Sequence, residues 1–191
     1  RGRVEAVAVV EHVAGRAAAP LWIERHRFLG DSPWPVESRY PSVIDGRDRI
    51  VETERDLAGQ VLRIRESGFS PLSADGRPLP SGLDGRVSKQ HASGATPILR
   101  ETRLTYGMFK SRSRLVRIDG PLPNGPIADP NDSDITHLGW DEEGARLIRA
   151  ERPGGSVWTL RHDAAGRSTG IESNASGLTQ WRLDLAGRMV E

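Results

Sequence analysis

The sequence predicts an all-β protein whose stacked hairpin repeats form a curved or spiralling antiparallel sheet. The first observation is a recurring Asp-x-x-Gly motif at 141–144, 163–166 and 184–187, with separations of 22 and 21 residues. A short segment of alternating character precedes each motif, at 135–140, 157–162 and 178–183, and helical patterning is nearly absent. A fixed period of about 20 residues is typical of stacked supersecondary units, each too small to bury its own apolar face.

The Asp-x-x-Gly motif predicts the turn of each hairpin. Asp at the first position of a type I turn accepts hydrogen bonds from the backbone of the turn, and Gly at the fourth position adopts positive φ at little cost. Such a motif between two alternating segments indicates a β-hairpin. We therefore expect positive φ at Gly166 and Gly187.

The predicted strands have one apolar and one polar face, because alternate residues of a strand share a face. Counting back from each Asp, the largely apolar face carries Thr136, Leu138, Trp140, Trp158, Leu160, His162, Thr179, Trp181 and Leu183. The polar face carries His137, Gly139, Thr159, Arg161, Gln180 and Arg182. We expect the apolar tryptophans and leucines of the last two repeats to be buried and the arginines to be exposed.

Composition divides the chain into four stretches of one continuous β-repeat domain. Residues 1–66 are degenerate repeat-like strands, with the turns His12-x-x-Gly15 and Asp56-x-x-Gly59. Residues 67–97 are a Pro/Gly-rich loop or insert, in which Asp75-Gly76 and Asp84-Gly85 can each turn a small hairpin; we expect a long surface excursion or a disordered insert. Residues 98–134 are strands followed by a Pro-rich loop, and residues 135–191 are the clear repeats. Because the chain ends as a new strand begins, we expect it to be a piece of a longer repeat array.

Composition also excludes several classes of function. The 191 residues carry 27 basic and 26 acidic side chains without a basic block, so nucleic-acid binding has no electrostatic footprint. The absence of cysteine excludes disulfides, thiol catalysis and zinc-thiolate sites. No stretch has the 18 or so apolar residues of a membrane helix, and the start of the chain lacks the layout of a signal peptide.

The sequence holds no recognisable catalytic or metal-binding constellation. The five histidines are scattered without ligand spacing, at His12, His26, His91, His137 and His162. Asp129, Asp132 and Asp134 alternate as in a calcium loop, but Pro130 intrudes and no Glu stands at the twelfth position. Neither a Gly-rich phosphate loop nor a nucleophile elbow occurs. We therefore expect no enzyme activity, no cofactor and no metal.

The repeat resembles the YD repeat of bacterial Rhs proteins, the large shells of polymorphic toxins. Trp140-Asp141 matches the aromatic-Asp pair of that pattern, whereas His162-Asp163 and Leu183-Asp184 keep the Asp and lose the Tyr. Segments 114–126 and 132–136 also look like parts of long Rhs effectors. The positions that we assign to the structural repeat are Trp140, Asp141, Gly144, Trp158, His162, Asp163, Gly166, Arg167, Trp181, Asp184, Gly187 and Arg188.

The resemblance implies a non-catalytic segment of a hollow, cocoon-like shell wall. Such a shell encapsulates a toxin domain of the same polypeptide and helps to deliver it, by a contact-dependent or type VI secretion route, in competition between bacteria. The implied partners are the remaining Rhs repeats, the toxin domain, and a secretion spike protein or chaperone. The implied location is secreted or delivered to a target cell. The self-cleavage centre and toxin tip of Rhs effectors do not occur in this sequence, so no catalytic residue is carried over.

The alternative is a cell-surface β-repeat module that binds carbohydrate or a neighbouring cell through tryptophan and loop residues. Trp158 and Trp181 fall on the apolar face, where core packing is the expected role. Pro33-Trp34-Pro35 is the place where the sequence favours an exposed aromatic side chain. A third interpretation, a stand-alone enzyme, has no motif to support it.

Overall fold

The computed structural model describes residues 3–9, 12–13, 16–17, 21–122 and 134–190, and these residues form an all-β fold. Two three-residue 3₁₀ turns, Ala92–Gly94 and Pro153–Gly155, are the helical elements of this part of the chain. The strands are β1 (Ala6–Val9), β2 (His12–Val13), β3 (Arg16–Ala17), β4 (Leu21–Phe28), β5 (Pro35–Pro41), β6 (Asp48–Arg55), β7 (Val61–Ser70), β8 (Thr96–Phe109), β9 (Arg112–Asp119), β10 (Ile135–Trp140), β11 (Leu147–Arg152), β12 (Ser156–His162), β13 (Ser168–Ser173) and β14 (Gly177–Gln180). The predicted fold class is confirmed.

The strands are ordered almost as they occur along the chain. Twelve of them follow one another in one antiparallel sheet in the order β1-β4-β5-β6-β7-β8-β9-β10-β11-β12-β13-β14, and β2 pairs with β3 separately. The chain divides into two compact units, residues 1–101 and 102–191, and β8 contributes residues to both. Sequential hairpins of this kind need only short connections, which agrees with the short repeat period in the sequence.

One face of the first unit carries arginines paired with acids across neighbouring strands. Glu54 lies opposite Arg63, and the two side chains approach to 2.7 Å. Glu37 accepts hydrogen bonds from Arg39 at 2.6 Å and from Arg27 at 3.1 Å. The bond from Arg39 is the main cause of the lowered pKa of Glu37, which burial opposes and Arg27 reinforces. Of these pairs, Glu54–Arg63 and Glu37–Arg27 join neighbouring strands, whereas Glu37 and Arg39 share β5. The two cross-strand pairs fix the register of neighbouring strands more than they add stability, since ion pairs with an exposed arginine contribute little.

The hydrophobic core of the first unit lies under the segment that joins β7 to β8. The buried apolar side chains of the described residues are Ile44, Val87, Ala92 and Ala95, with Phe69 and Leu79 packed against them. A parallel bridge joins Ile44 to Val87, where the Val87 N–H donates to Val43 O at 2.8 Å and the Asp45 N–H donates to Val87 O at 2.9 Å. Most residues of the segment 71–95 are exposed, but the segment supplies three of the four buried apolar side chains of the described residues.

Two tight turns shape this segment. The Gly76 N–H donates to Ser73 O at 2.9 Å, and the Gly85 N–H donates to Gly82 O at 3.0 Å. Short bridges, Leu72 with Pro78 and Ser81 with Val87, close both turns into small hairpins. The sequence therefore locates these hairpins correctly, although each turn begins two residues before its Asp.

The apolar face of the second unit is half-buried, not buried. Cross-strand pairing places Ala150 opposite Trp158 and Leu160 opposite Ile171, as the alternation predicts. The structure corrects the predicted burial of four side chains, which are only half-buried: Trp158, Leu160, Trp181 and Leu183. Arg161 and Arg182 are exposed, as expected. The physical reason is that the described strands of this unit all lie within the sheet, so none forms a second layer over the face.

Candidate functional site

The distinctive feature of the second unit is a series of three like turns, which we call the turn ladder: 141–144, 163–166 and 184–187, each with the arginine that follows it. In every turn the N–H of the glycine donates to the carbonyl oxygen of the aspartate at 2.9 Å. The glycine φ angles are +61° at Gly144 and +80° at Gly166 and Gly187. The predicted hairpin turns and positive φ angles are therefore confirmed.

Each aspartate of the turn ladder also holds the arginine of its own turn. Asp163 Oδ1 accepts the backbone N–H of Arg167 at 2.9 Å, and Asp163 Oδ2 accepts the Arg167 Nε–H at 2.7 Å. Asp184 binds Arg188 with the same two distances. These two aspartates have lowered pKa values, chiefly because the backbone N–H of the arginine stabilises the carboxylate, with burial opposing.

The first turn reaches the same arrangement with one more residue. Arg146 stands one position later than its counterparts, yet its Nε–H donates to Asp141 Oδ2 at 2.7 Å, while the Ala145 N–H donates to Oδ1 at 2.7 Å. The hydrogen bond from the Arg146 side chain is the main cause that lowers the pKa of Asp141 to about 2, against the effect of desolvation. A carboxylate that accepts several donors is stabilised in its charged form. These Asp–Arg pairs were not predicted, although an arginine follows each glycine within two residues and was the signal for them.

The turns also contact one another along the ladder. Arg167 Nη1 donates to the backbone carbonyl of Asp184 at 2.8 Å, so the arginine of one repeat bonds to the turn of the next. A Cβ atom at Gly166 would lie 3.6 Å from Arg146 Cδ, and one at Gly187 would lie 3.9 Å from Arg167 Nη1. The glycine thus permits the positive φ of its turn and leaves the preceding arginine room to lie across it.

Two tryptophans of the repeats tie neighbouring strands together through their indole N–H groups. Trp140 Nε1 donates to Leu115 O, and Trp181 Nε1 donates to Ser168 O, both at 2.8 Å. Trp158 Nε1 donates instead to Ser156 Oγ at 3.0 Å. Each indole is half-buried and its N–H has a hydrogen-bond acceptor, so the surroundings of all three tryptophans are typical of packing residues. His162, at the position of the missing aromatic residue, is half-buried and pairs with Ser168 across the sheet.

Three earlier turns share the backbone pattern of the ladder. In 56–59 the Gly59 N–H donates to Asp56 O at 3.0 Å, and Asp56 Oδ1 accepts the N–H groups of Ala58 and Gln60. The turns at 73–76 and 82–85 begin with Ser73 and Gly82, and carry Asp at the third position. In both of these turns the final glycine is followed by arginine, as at Gly166 and Gly187, and this Gly-Arg pair is the sequence signal that they share with the ladder.

Among the described side chains, the most exposed aromatic candidate lies outside the repeats. Trp34 is 53% exposed and lines an open pocket of about 660 Å³, with the Arg55 guanidinium 5.2 Å from the ring centre. Within the described residues, no group of three or more His, Asp or Glu side chains is placed to hold a metal ion. Asp129 and Asp132, the other two acids of the calcium-loop pattern, lie outside the described residues. No helix in the described part of the chain has the length and apolar character needed to cross a membrane.

The family model of the RHS repeat matches residues 140–179, which begin at Trp140 and include the first two turns of the ladder. The chain carries an Rhs repeat. The resemblance to Rhs/YD-repeat proteins is therefore confirmed, on the segment in which sequence and geometry both repeat. No curated protein matches the chain in sequence.

One solved structure supports the fold. The crystal structure of TcdB2-TccC3-Cdc42 is similar over 96% of this chain, with a TM-score of 0.55 and 15% sequence identity. The structure of TcdB2-TccC3 without its hypervariable C-terminal region also covers 96% of the chain, at 13% identity and a TM-score of 0.44. The chain spans only 8% and 9% of the lengths of these two proteins.

Proposed function

We propose that this chain is a non-catalytic segment of the shell wall of an Rhs-type toxin, and that the shell encloses a toxin domain of the same polypeptide. The observation that carries the proposal is the Rhs repeat at 140–179, built into a sheet whose strands follow chain order. A sheet of sequential hairpins can be lengthened by adding repeats without rearranging those already present. That property suits a wall whose length must match the size of the cargo that it surrounds.

The side chains on the sheet support a mechanical role. On the polar face of the second unit, Arg161 Nη2 lies 2.8 Å from Glu172 across two neighbouring strands. On the other face Trp140 and Trp181 donate to backbone carbonyls of neighbouring strands. Both kinds of contact hold adjacent strands together, and the turn ladder holds adjacent hairpins together at one end of the strands.

The partners follow from this role. Further Rhs repeats and the toxin domain of the same polypeptide are the internal partners, and a secretion spike protein or chaperone is the external one. The protein is secreted or delivered to a target cell, through a type VI or contact-dependent route, in interbacterial competition. Each of these statements belongs to the proposal and depends on the shell role.

Native proteolysis of the complete polypeptide tests the enclosure. Under native conditions, trypsin should release peptides from surface loops while peptides of the toxin domain stay absent, as measured by mass spectrometry. A urea concentration that opens the sheet should release both sets together. Toxin-domain peptides that appear at the same rate as loop peptides, without urea, would contradict the proposal.

A second function, carbohydrate binding, is favoured by the pocket at Trp34. An exposed indole offers a sugar ring a stacking surface, and Glu52, Arg63 and Arg65 at the pocket wall are potential hydrogen-bonding partners. A glycan array with the wild-type protein and Trp34→Ala separates the two functions. The shell role predicts no glycan signal that depends on Trp34, whereas a signal lost in Trp34→Ala would establish the carbohydrate-binding module.

A further inference from the structure

A second cavity of the first unit, which we call the apolar cleft, lies where the loop after β5 meets strands β7 and β8. Its volume is about 300 Å³, and it shares no lining residue with the pocket at Trp34. The apolar side chains that line it are Pro41, Val43, Phe69 and Ile98. Phe69 packs against the hydrophobic core of the unit, whereas Val43 is 49% exposed. The apolar cleft therefore has one wall that is fixed by the core and an apolar edge that is open to solvent.

The charged side chains that line the apolar cleft leave a positive charge uncompensated. Arg49 Nη2 donates to Glu66 Oε1 at 2.8 Å, so these two lining residues neutralise each other. Arg100 also lines the cleft and is exposed, and none of the described residues bonds to it or forms an ion pair with it. The Arg47 guanidinium, 4.4 Å from the centre of the Phe69 ring, adds positive charge close by. An apolar surface beside an unpaired guanidinium is complementary to an apolar anion.

We propose that the apolar cleft binds a small molecule that carries one carboxylate on an apolar body, such as an aryl-alkanoic acid. The apolar body lies against Val43, Phe69 and Ile98. The carboxylate accepts hydrogen bonds from the Arg100 guanidinium, whose planar set of donors matches the two carboxylate oxygens. A sugar fits this cleft poorly, because its hydroxyl groups would lose water against apolar walls without gaining partners. The site depends neither on the shell role nor on the pocket at Trp34.

Amide NMR of the protein tests the site with two matched probes, phenylbutyrate and phenylbutanol, which differ in the charge at one end. We expect phenylbutyrate to give saturable shifts at Gly68, Phe69 and Ile98, and phenylbutanol to bind about three- to tenfold more weakly, as for a charge-assisted hydrogen bond at an exposed arginine. Arg100→Gln should weaken phenylbutyrate binding by the same factor and leave phenylbutanol binding unchanged. Arg77→Gln, which removes an exposed positive charge that does not line the cleft, should change the binding of neither probe.

Variants of the apolar walls test the rest of the site. Gly68 lies in β7 and lines the cleft, and a Cβ atom there would lie 3.9 Å from Arg49 Cα, an ordinary contact distance. Gly68→Val should therefore keep the fold, since valine suits a strand, and should abolish the binding of both probes. Val43→Ala should weaken both probes about threefold through lost apolar contact. Leu99→Ala should leave both unchanged, because Leu99 faces away from Ile98 across β8.

Several outcomes would overturn the proposal. Phenylbutanol that binds as tightly as phenylbutyrate, or an Arg100→Gln variant that binds phenylbutyrate unchanged, would show that the cleft does not select an anion. Shifts that centre on Trp34, or no saturable shift at millimolar probe, would show that the cleft is not the site. A peptide that ends in a free phenylalanine carboxylate is the third probe, and we expect it to bind more weakly than phenylbutyrate because its backbone amides would meet apolar walls. Tighter binding of the peptide would make a protein C-terminus the occupant and overturn the assignment to a small molecule.

Discussion

Replacing Ile44 by alanine tests whether residues 71–95 are held down by a true core. Ile44 is 0% exposed and lies against Val87, which belongs to that segment, whereas its neighbour Val43 is 49% exposed. The two positions share the same loop between β5 and β6, so Val43→Ala is a matched control for truncation of a β-branched side chain. A difference between the two variants measures burial and not local chain properties.

The expected magnitude follows from the size of the truncation and of the core. Ile44→Ala removes three carbon atoms from a buried site, which at about 0.8 kcal/mol per buried CH₂ gives about 2.4 kcal/mol. A residual cavity adds to this loss, but a core of four buried side chains can collapse partly around the gap. We therefore expect about 2–3.5 kcal/mol for Ile44→Ala and about 0.5 kcal/mol or less for Val43→Ala.

Urea unfolding followed by tryptophan fluorescence measures both losses, and hydrogen exchange locates them. Exchange at Val87 and at Asp45, whose N–H groups join the loop to the segment, should accelerate in Ile44→Ala and stay unchanged in Val43→Ala. Similar free energies of unfolding for the two variants would refute the reasoning, because the segment would then contribute no core. The same conclusion would follow from a loss below about 0.5 kcal/mol at Ile44.

Three further predictions address the repeats, the turns and the loop. Trp181→Ala should destabilise the protein by about 2 kcal/mol in urea unfolding, which is less than the cost for a fully buried tryptophan because this side chain is half-buried. Arg182→Ala should cost about 0.5 kcal/mol or less because Arg182 is exposed. Equal losses would mean that the assignment of faces is wrong. Limited trypsin digestion should cut at Arg77 before Arg86. The Arg77 side chain is 84% exposed, whereas the Arg86 guanidinium donates to Ser42 O and lies 3.2 Å from Asp45. The reverse order of peptides in mass spectrometry would contradict this prediction. Because the pKa of Asp141 is lowered from 3.8 to about 2, the stability that its carboxylate contributes is fully present above about pH 4 and is lost as the pH falls toward 2. In thermal unfolding from about pH 2 to 6, the melting temperature should therefore fall less at low pH in Asp141→Asn than in the wild type.

The turns and strands of the repeats could be predicted because their determinants are local. An Asp-x-x-Gly turn needs one side-chain acceptor and one residue that tolerates positive φ, and both lie within four residues of sequence. The alternation that precedes each turn then fixes which residues share a face, so Arg161 and Trp158 fall on opposite faces in sequence and structure alike. The degree of burial is not local. It depends on whether another layer covers the face, and no feature of the alternation reports that.

The core of the first unit illustrates the same limit more sharply. Ile44 and Val87 lie 43 positions apart, and neither stands in a periodic apolar pattern, so no window of sequence contains the signal that they meet. The segment around Val87 is rich in turn formers, which correctly predicts chain reversals but does not show which of its side chains become buried. The reversals are what make the burial possible: the turn at 82–85 returns the chain so that Val87 can bridge both Ser81 and Ile44. Turn residues specify where a chain changes direction. A core depends on which distant residues the redirected chain then contacts, and only the three-dimensional arrangement shows those contacts.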